Sequence, residues 1–273
     1  MLVTVVAASA GGQATAQAAA DVTPPPSGGW VRPTADTTGT TGPLAPWGKS
    51  ATFTANDQTI SGVDFGDWIK VTGTNLTLEN CRFQGMVYLG PGPLTLRHCT
   101  SDSNINVDGS YRDVRGVLID HCHVVCGSHD GIDLFSQSVG KLSDVTIVDT
   151  LVDGQTFPSG STAHGDGLQV RGIDGLTVQR TVVDMLTVGG VQPQKNAALY
   201  FEDVNGGCRN MRFVDVDIMG GDPYQHTFYT NRVTGSTATN LAIRSRGGYV
   251  TRVKPSGWAF TNVTNPDGSL ITP

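Results

Sequence analysis

Apolar and polar residues alternate with a period of two in a phrase that recurs along the chain: LTLENCRF from Leu76, LTLRHCTS from Leu94, VLIDHCHV from Val117, VTIVDTLV from Val145, LTVQRTVV from Leu176, MRFVDVDI from Met211, LAIRSRGG from Leu241 and WAFTNVTN from Trp258. That period marks a strand with one buried face. A second set of strand phrases lies between them: WIKV (68–71), MVYL (86–89), INV (105–107), GIDLF (131–135), GLQVR (167–171), ALYFED (198–203), TFYTNR (227–232) and YVTRV (249–253). The first set starts at intervals of 17 to 35 residues. Constant phrases at variable intervals describe a repeated coil carrying loops of different length. Hairpin signals are few, Asp108-Gly109 and some Gly-Gly pairs aside, which argues against antiparallel sandwiches and propellers. The pattern predicts an all-β, single-stranded parallel solenoid of about eight coils over residues 51–265. The Thr-rich segment 51–66 is expected to cover its N-terminal end, and residues 266–273 form a C-terminal tail.

Composition fits this reading. The chain has 273 residues, 15% of them charged, and 35 are glycine, against about 25% charged and about 7% Gly in an average globular chain. Glycine then belongs at coil corners, and surface polarity comes from Ser, Thr, Asn and Gln. With 18 Lys+Arg against 24 Asp+Glu the net charge is −6, and no cationic run appears. Nucleic acid and anionic membrane are thereby excluded as main partners, since both require clustered cations. No apolar stretch approaches the ~20 residues of a membrane span.

Residues 1–50 differ from the rest, being rich in Pro, Gly, Ala and Thr. LVTVVAAS (2–9) and AQAAA (16–20) have the look of a signal core and cleavage site, but no Lys or Arg precedes Arg32, and a secretory leader opens on a positive region. The segment is therefore read as an N-terminal docking arm, with a signal peptide and linker as the alternative.

Cys81, Cys99 and Cys122 hold the sixth position of three consecutive phrases, and Thr150 and Thr181 continue the column. A ladder of small interior residues is the expectation; a Cys81–Cys99 disulfide would be strained on a regular ladder. With Cys126 and Cys208 the count is odd. The spacing of His98, His121, His123 and Cys126 fits no standard zinc site, so no metal is expected, and His98 and His121 should stack on a polar outer face beside Asn80.

Chemistry concentrates on the second set of strands. Its outward positions align as Lys70, Tyr88, Asn106, Asp133, Gln169, Tyr200 and Tyr229, followed two residues on by Thr72, Gly90, Asp108, Phe135, Arg171, Glu202 and Asn231. Carboxylates, amides, an arginine and tyrosines on a rigid face have the composition of a carbohydrate-binding groove. Two local motifs, Ser128-His129-Asp130-Gly131-Ile132-Asp133 and His164-Gly165-Asp166-Gly167-Leu168-Gln169, fall in adjacent coils. Asp130, Asp133 and Asp166 stacked together would raise one another's pKa and supply an acid and a base. Arg171 and Glu202 complete the catalytic candidates, and His129, His164, Gln169, Tyr88, Tyr200 and Tyr229 are the candidate substrate contacts. The alternative is architectural: Asp-Gly pairs form the turn entering a strand, with Asp accepting from backbone amides.

Over about residues 51–265 the chain resembles the right-handed parallel β-helix of the pectate-lyase-like superfamily. The phrase around Asp130 resembles the first acidic motif of the polygalacturonase family, but no Asp-Asp pair follows it, and neither Gly-His-Gly nor Arg-Ile-Lys occurs. A lyase mechanism would add calcium on the carboxylates and a base, with Arg171 the candidate; otherwise no cofactor is implied. The fold and the Thr/Val/Gly-rich composition are also similar to the β-helical tailspikes and minor tail proteins of actinobacteriophages. That resemblance implies a place in the virion tail and cell-surface polysaccharide as ligand, to be bound or also cut. It further implies other tail proteins as partners through residues 1–50, and the homotrimer common among such spikes, although no heptad pattern marks one. A secreted polysaccharide lyase or glycoside hydrolase, and a non-catalytic carbohydrate-binding protein, are the alternatives.

Overall fold

The computed structural model describes residues 29–138, 141–156, 165–185, 197–202, 204–219, 228–230, 232–244, 253–254, 257–264 and 269–271. Strands dominate, and they stack in two long sheets of 16 and 9 strands. Every pairing between named strands is parallel; for example, Leu76–Glu79 lies between Gln58–Ser61 and Leu94–Arg97. The chain passes from Trp68–Val71 in the nine-stranded sheet to Leu76–Glu79 and then Arg82–Phe83 in the larger one. It returns at Gly85–Tyr88, paired directly on Trp68–Val71. Each circuit thus lays one strand on each of three ladders. Residues 52–64 already take part, since Thr52–Phe53 and Gln58–Ser61 pair in register with the following circuit.

The larger sheet bends because of backbone conformation. Asn80, His98, His121, Asp149, Arg180, Asp215, Asn240 and Asn262 all have φ between 45° and 56°. Each directly precedes a buried residue of one column: Cys81, Cys99, Cys122, Thr150, Thr181, Val216, Leu241 and Val263. Five residues before most of them stands a second left-handed residue, as in Asn75, Gly116, Asp144, Gly175, Asn210, Gly235 and Gly257; Pro93 takes that place before His98. The recurring unit is therefore a short strand between two corners, both left-handed in every circuit but that one. Asn, Asp, His and Gly are the residues that tolerate this conformation best.

The side chains at the corners pair from circuit to circuit. The Asn240 amide donates to Asp215 Oδ1 at 2.8 Å and that of Asn262 to Asn240 Oδ1 at 2.8 Å. The rings of His98 and His121 stack at 4.9 Å, as expected. Between corners, Leu76, Leu78, Leu94, Leu96, Val117, Ile119, Val145 and Ile147 are almost fully buried. The cysteine column is interior too, and all five cysteines are buried and unpaired. Burial pushes the Cys99 and Cys126 thiols up, so they serve as small core residues.

Register corrects two expectations. Lys70 and Asn106 both pair with Val87, not Tyr88. Tyr88 points inward, fully buried, and its hydroxyl donates to the Gly92 carbonyl at 2.7 Å. Likewise the seventh phrase starts at Ser236, which pairs with Trp258, rather than at Leu241.

Aromatic clusters close both ends. Trp47, Phe53 and Phe65 meet with centroids 5.2 to 5.8 Å apart, and Phe201, Phe213, Phe228 and Trp258 at 5.3 to 5.9 Å. Residues 29–50, within the segment expected to dock elsewhere, lie along the chain's own circuits. Arg32 Nη2 stands 2.9 Å from Asp217 Oδ2. The Gly39 amide donates to the His121 carbonyl at 2.8 Å, Thr40 to Thr100 Oγ1 at 3.0 Å and Thr41 to Asn80 Oδ1 at 2.7 Å. Ala45 then donates to the Gly62 carbonyl at 2.9 Å. The segment is a strap running from late circuits back to the first. Gly39 is required in it, since a Cβ there would stand 2.6 Å from Thr100 Oγ1.

Candidate functional site

The nine-stranded sheet carries the predicted polar strip on its outer face. Asn106, Asp133, Gln169 and Tyr200 are register partners in sequence, and Asp108, Phe135 and Arg171 form the neighbouring column. Because parallel strands bring equivalent positions about 4.8 Å apart, these side chains bond laterally. The Asn106 amide donates to Asp133 Oδ2 at 2.9 Å. Arg171 Nη2 donates to both oxygens of Asp133 at 3.1 and 3.0 Å, while its guanidinium sits 4.4 Å from the Phe135 ring centroid. One circuit further, the Gln169 amide donates to Glu202 Oε1 at 2.9 Å. Asp133 is 6% exposed, and burial pushes its carboxyl up to about 6 against the pull of Arg171. The result is a rigid strip whose polar groups are already oriented.

Asp130 and Asp166 stack as predicted, but their oxygens serve the backbone. Asp130 Oδ1 accepts from the Asp166 amide at 2.7 Å, and Asp166 Oδ1 accepts from the Ala197 amide at 2.7 Å. Each aspartate thus fastens the turn one circuit on. Asp166 is 4% exposed, and burial, with the charge of Asp130 beside it, pushes its carboxyl up to about 8.

The five catalytic candidates therefore divide by contact: Asp133 with Arg171, Glu202 with Gln169, and Asp130 with Asp166 through the main chain. Tyr88 leaves the site for the core. Tyr200 stays on the face, half-buried, whereas His164 and the side chain of Tyr229 lie outside the described residues.

His129 stands apart from this strip, at the edge where the chain enters the nine-stranded sheet. Its Nδ1 is 3.1 Å from Ser103 Oγ, and its ring meets the indole of Trp68 edge-on at 5.9 Å. Together they line a groove of about 610 Å³ with Gln84, Asp102 and Thr156. Trp68 is 38% exposed. Sequence reading placed Trp68 in a strand and gave it no role. The available signal was Gly85, its register partner one circuit on: a Cβ there would lie 2.6 to 2.8 Å from three indole carbons.

Calcium does not fit these carboxylates, because Asp133 is neutralised by Arg171 and Asp130 and Asp166 are tied to amides. Among the described residues one further cluster, Asp120, His121 and Asp149, brings three ligand atoms within 4.8 Å of one another. Its carboxylates already meet cations, Asp120 with Arg97 at 3.5 Å and Asp149 with Arg180 at 2.6 Å. No described helix is long and apolar enough to cross a membrane. No protein-family model, curated protein or solved structure matches the chain.

Proposed function

We propose that this chain is a right-handed parallel β-helix that binds cell-envelope polysaccharide along its nine-stranded sheet, as a host-facing component of a phage tail. The right-handed sense is supported by the rule that crossovers between parallel strands of one sheet are right-handed in nearly all cases. The observation that carries the binding reading is the pre-bonded strip of Asn106, Asp133, Arg171, Gln169 and Glu202. Side chains fixed by their neighbours lose little conformational freedom on meeting a ligand, which suits recognition of a regular polymer by a regular surface. The reading is tested by glycan-array binding of the wild type and of Gln169→Ala. Saturable binding that the variant weakens supports it, and absence of binding to any glycan removes it.

The tail assignment rests on composition and on resemblance, with residues 1–28 as the part that docks onto other tail proteins. A protein lacking 1–28 should fold but fail to enter particles; normal incorporation removes the assignment. A trimeric spike would sediment at three times the chain mass.

A second reading, a polysaccharide lyase or glycoside hydrolase, is favoured by one observation. Asp133 at about 6 and Asp166 at about 8 are carboxyls poised near neutrality, where general acids work best. Against it, Asp166 spends an oxygen on a backbone amide. Release of reducing ends or unsaturated products by the wild type, lost in Asp133→Asn, would establish catalysis; a wild type that binds without turnover would remove it.

A further inference from the structure

The groove between Trp68 and His129 is separate from the polar strip, and its construction is specific. The indole lies against the bare backbone of Gly85, because a Cβ at that position would stand 2.6 to 2.8 Å from its ring carbons. His129 meets the ring edge-on at 5.9 Å and is itself oriented by Ser103 at 3.1 Å. Trp68 is thus a large, partly exposed aromatic surface whose position is set on two sides.

Around it the groove presents the amide of Gln84 and the hydroxyls of Ser103 and Thr156. Its one carboxylate, Asp102, is closed by Arg82: Nε reaches Oδ2 at 2.9 Å and Nη2 reaches Oδ1 at 3.1 Å. That pairing occupies the Nε/Nη2 edge of a guanidinium that is not itself part of the lining, and no Lys or Arg lines the groove to receive a ligand carboxylate. A volume of about 610 Å³ falls within the ~300–1,000 Å³ typical of small-molecule sites. An aromatic platform with uncharged donors and acceptors at its rim suits a pyranose ring, whose face is apolar and whose edge carries hydroxyls.

We infer that this groove is a subsite for an uncharged segment of the polysaccharide, with one sugar ring stacked on Trp68 and its hydroxyls read by Gln84, Ser103, His129 and Thr156. The inference rests on the polysaccharide-binding reading and narrows it to neutral glycans, excluding uronates.

The test titrates the full chain with two probe sets, neutral hexasaccharides (glucan, mannan, galactan and arabinan) and uronate hexasaccharides (polygalacturonate and alginate), following tryptophan fluorescence and calorimetric heat. Binding to a neutral probe, with Trp68→Ala lowering affinity about tenfold or more and Trp68→Phe restoring part of it, supports the subsite. Gly85→Ala should weaken the same probe by displacing the indole while leaving the sheet strip intact. Thermal unfolding of each variant separates a lost contact from a lost fold. Neutral binding unchanged in Trp68→Ala but weakened in Gln169→Ala overturns the subsite and leaves the polar strip as the binding surface. Binding to uronates alone overturns the neutral assignment. Binding to neither set overturns both the subsite and the broader reading.

Discussion

The ion cluster that fastens the strap should be energetically asymmetric. Asp217 is fully buried and faces two guanidinium groups, Arg244 Nε at 2.7 Å and Arg32 Nη2 at 2.9 Å. The exposures of the partners differ: 7% for the Arg244 side chain and 32% for that of Arg32. Asp217→Asn removes a buried carboxylate from between two guanidinium groups, a change that costs about 3–5 kcal/mol at comparable buried pairs. Arg32→Ala removes a partner that solvent already screens and leaves the Asp217–Arg244 pair whole. Its cost should fall between the surface and buried limits, at about 1–2 kcal/mol. Replacing Asp217 and Arg244 together by Leu removes both buried charges and lets Arg32 turn to water, so the double variant should lie within about 1 kcal/mol of wild type.

Urea unfolding followed by circular dichroism measures the three costs, provided the slope is unchanged between variants, since a stacked chain can unzip from one end. Hydrogen exchange adds a local readout. In Arg32→Ala the Gly39 and Ala45 amides, which bond to His121 and Gly62, should exchange faster while the Val182 amide of the central ladder does not. If Arg32→Ala costs as much as Asp217→Asn, or if Asp217→Asn costs under about 1 kcal/mol, the cluster does not hold the strap as argued.

Three further outcomes are expected. Asp166, at about 8 when folded against an unfolded value near 3.9, binds more protons in the native state, so its contribution is full below pH ~4 and is lost as pH rises toward 8, by up to about 1.4 kcal/mol per unit. Urea midpoints of Asp166→Asn across that range should show the missing slope, and an identical pH profile in both proteins would refute the assignment. Tyr88→Phe leaves the Gly92 carbonyl without the hydroxyl that donates to it at 2.7 Å and should cost about 1 kcal/mol with no change in glycan binding; altered binding would return Tyr88 to the face. Asn80→Ala loses the acceptor for the Thr41 amide and puts alanine at φ 51°, for about 1–2 kcal/mol by chemical denaturation, whereas Asn80→Gly should cost less because glycine is at ease there.

What the sequence made legible follows from which physical signals are local. The column Cys81, Cys99, Cys122, Thr150, Thr181 could be read because each member stands at one offset from a strongly alternating phrase, and all five are buried as that offset requires. The same reasoning slipped where alternation fails. Met86, Val87, Tyr88 and Leu89 are all apolar, so a period of two cannot choose which of them faces inward, and Val87, not Tyr88, takes the outward position. At residues 236–241 the inward positions hold Ser236 and Ala238, too weakly apolar to mark a strand, and clear alternation begins only at Leu241, five residues on.

A different signal resolves both kinds of region: residues that tolerate a left-handed backbone, five apart, as in Asn75 and Asn80 or Gly235 and Asn240. Counting from Gly235 places Ser236 at the head of its strand without any reference to hydrophobicity. Neither signal reaches contacts made between circuits. Arg32 meets Asp217, and Trp68 meets His129, across long stretches of chain, and local pattern carries no trace of such pairings except where glycine must yield space. Gly85 is that exception. Among these stacked parallel strands, an unexplained glycine marks a place where a side chain from the neighbouring strand can lie flat on the backbone, and here it marks the indole that gives the groove its floor.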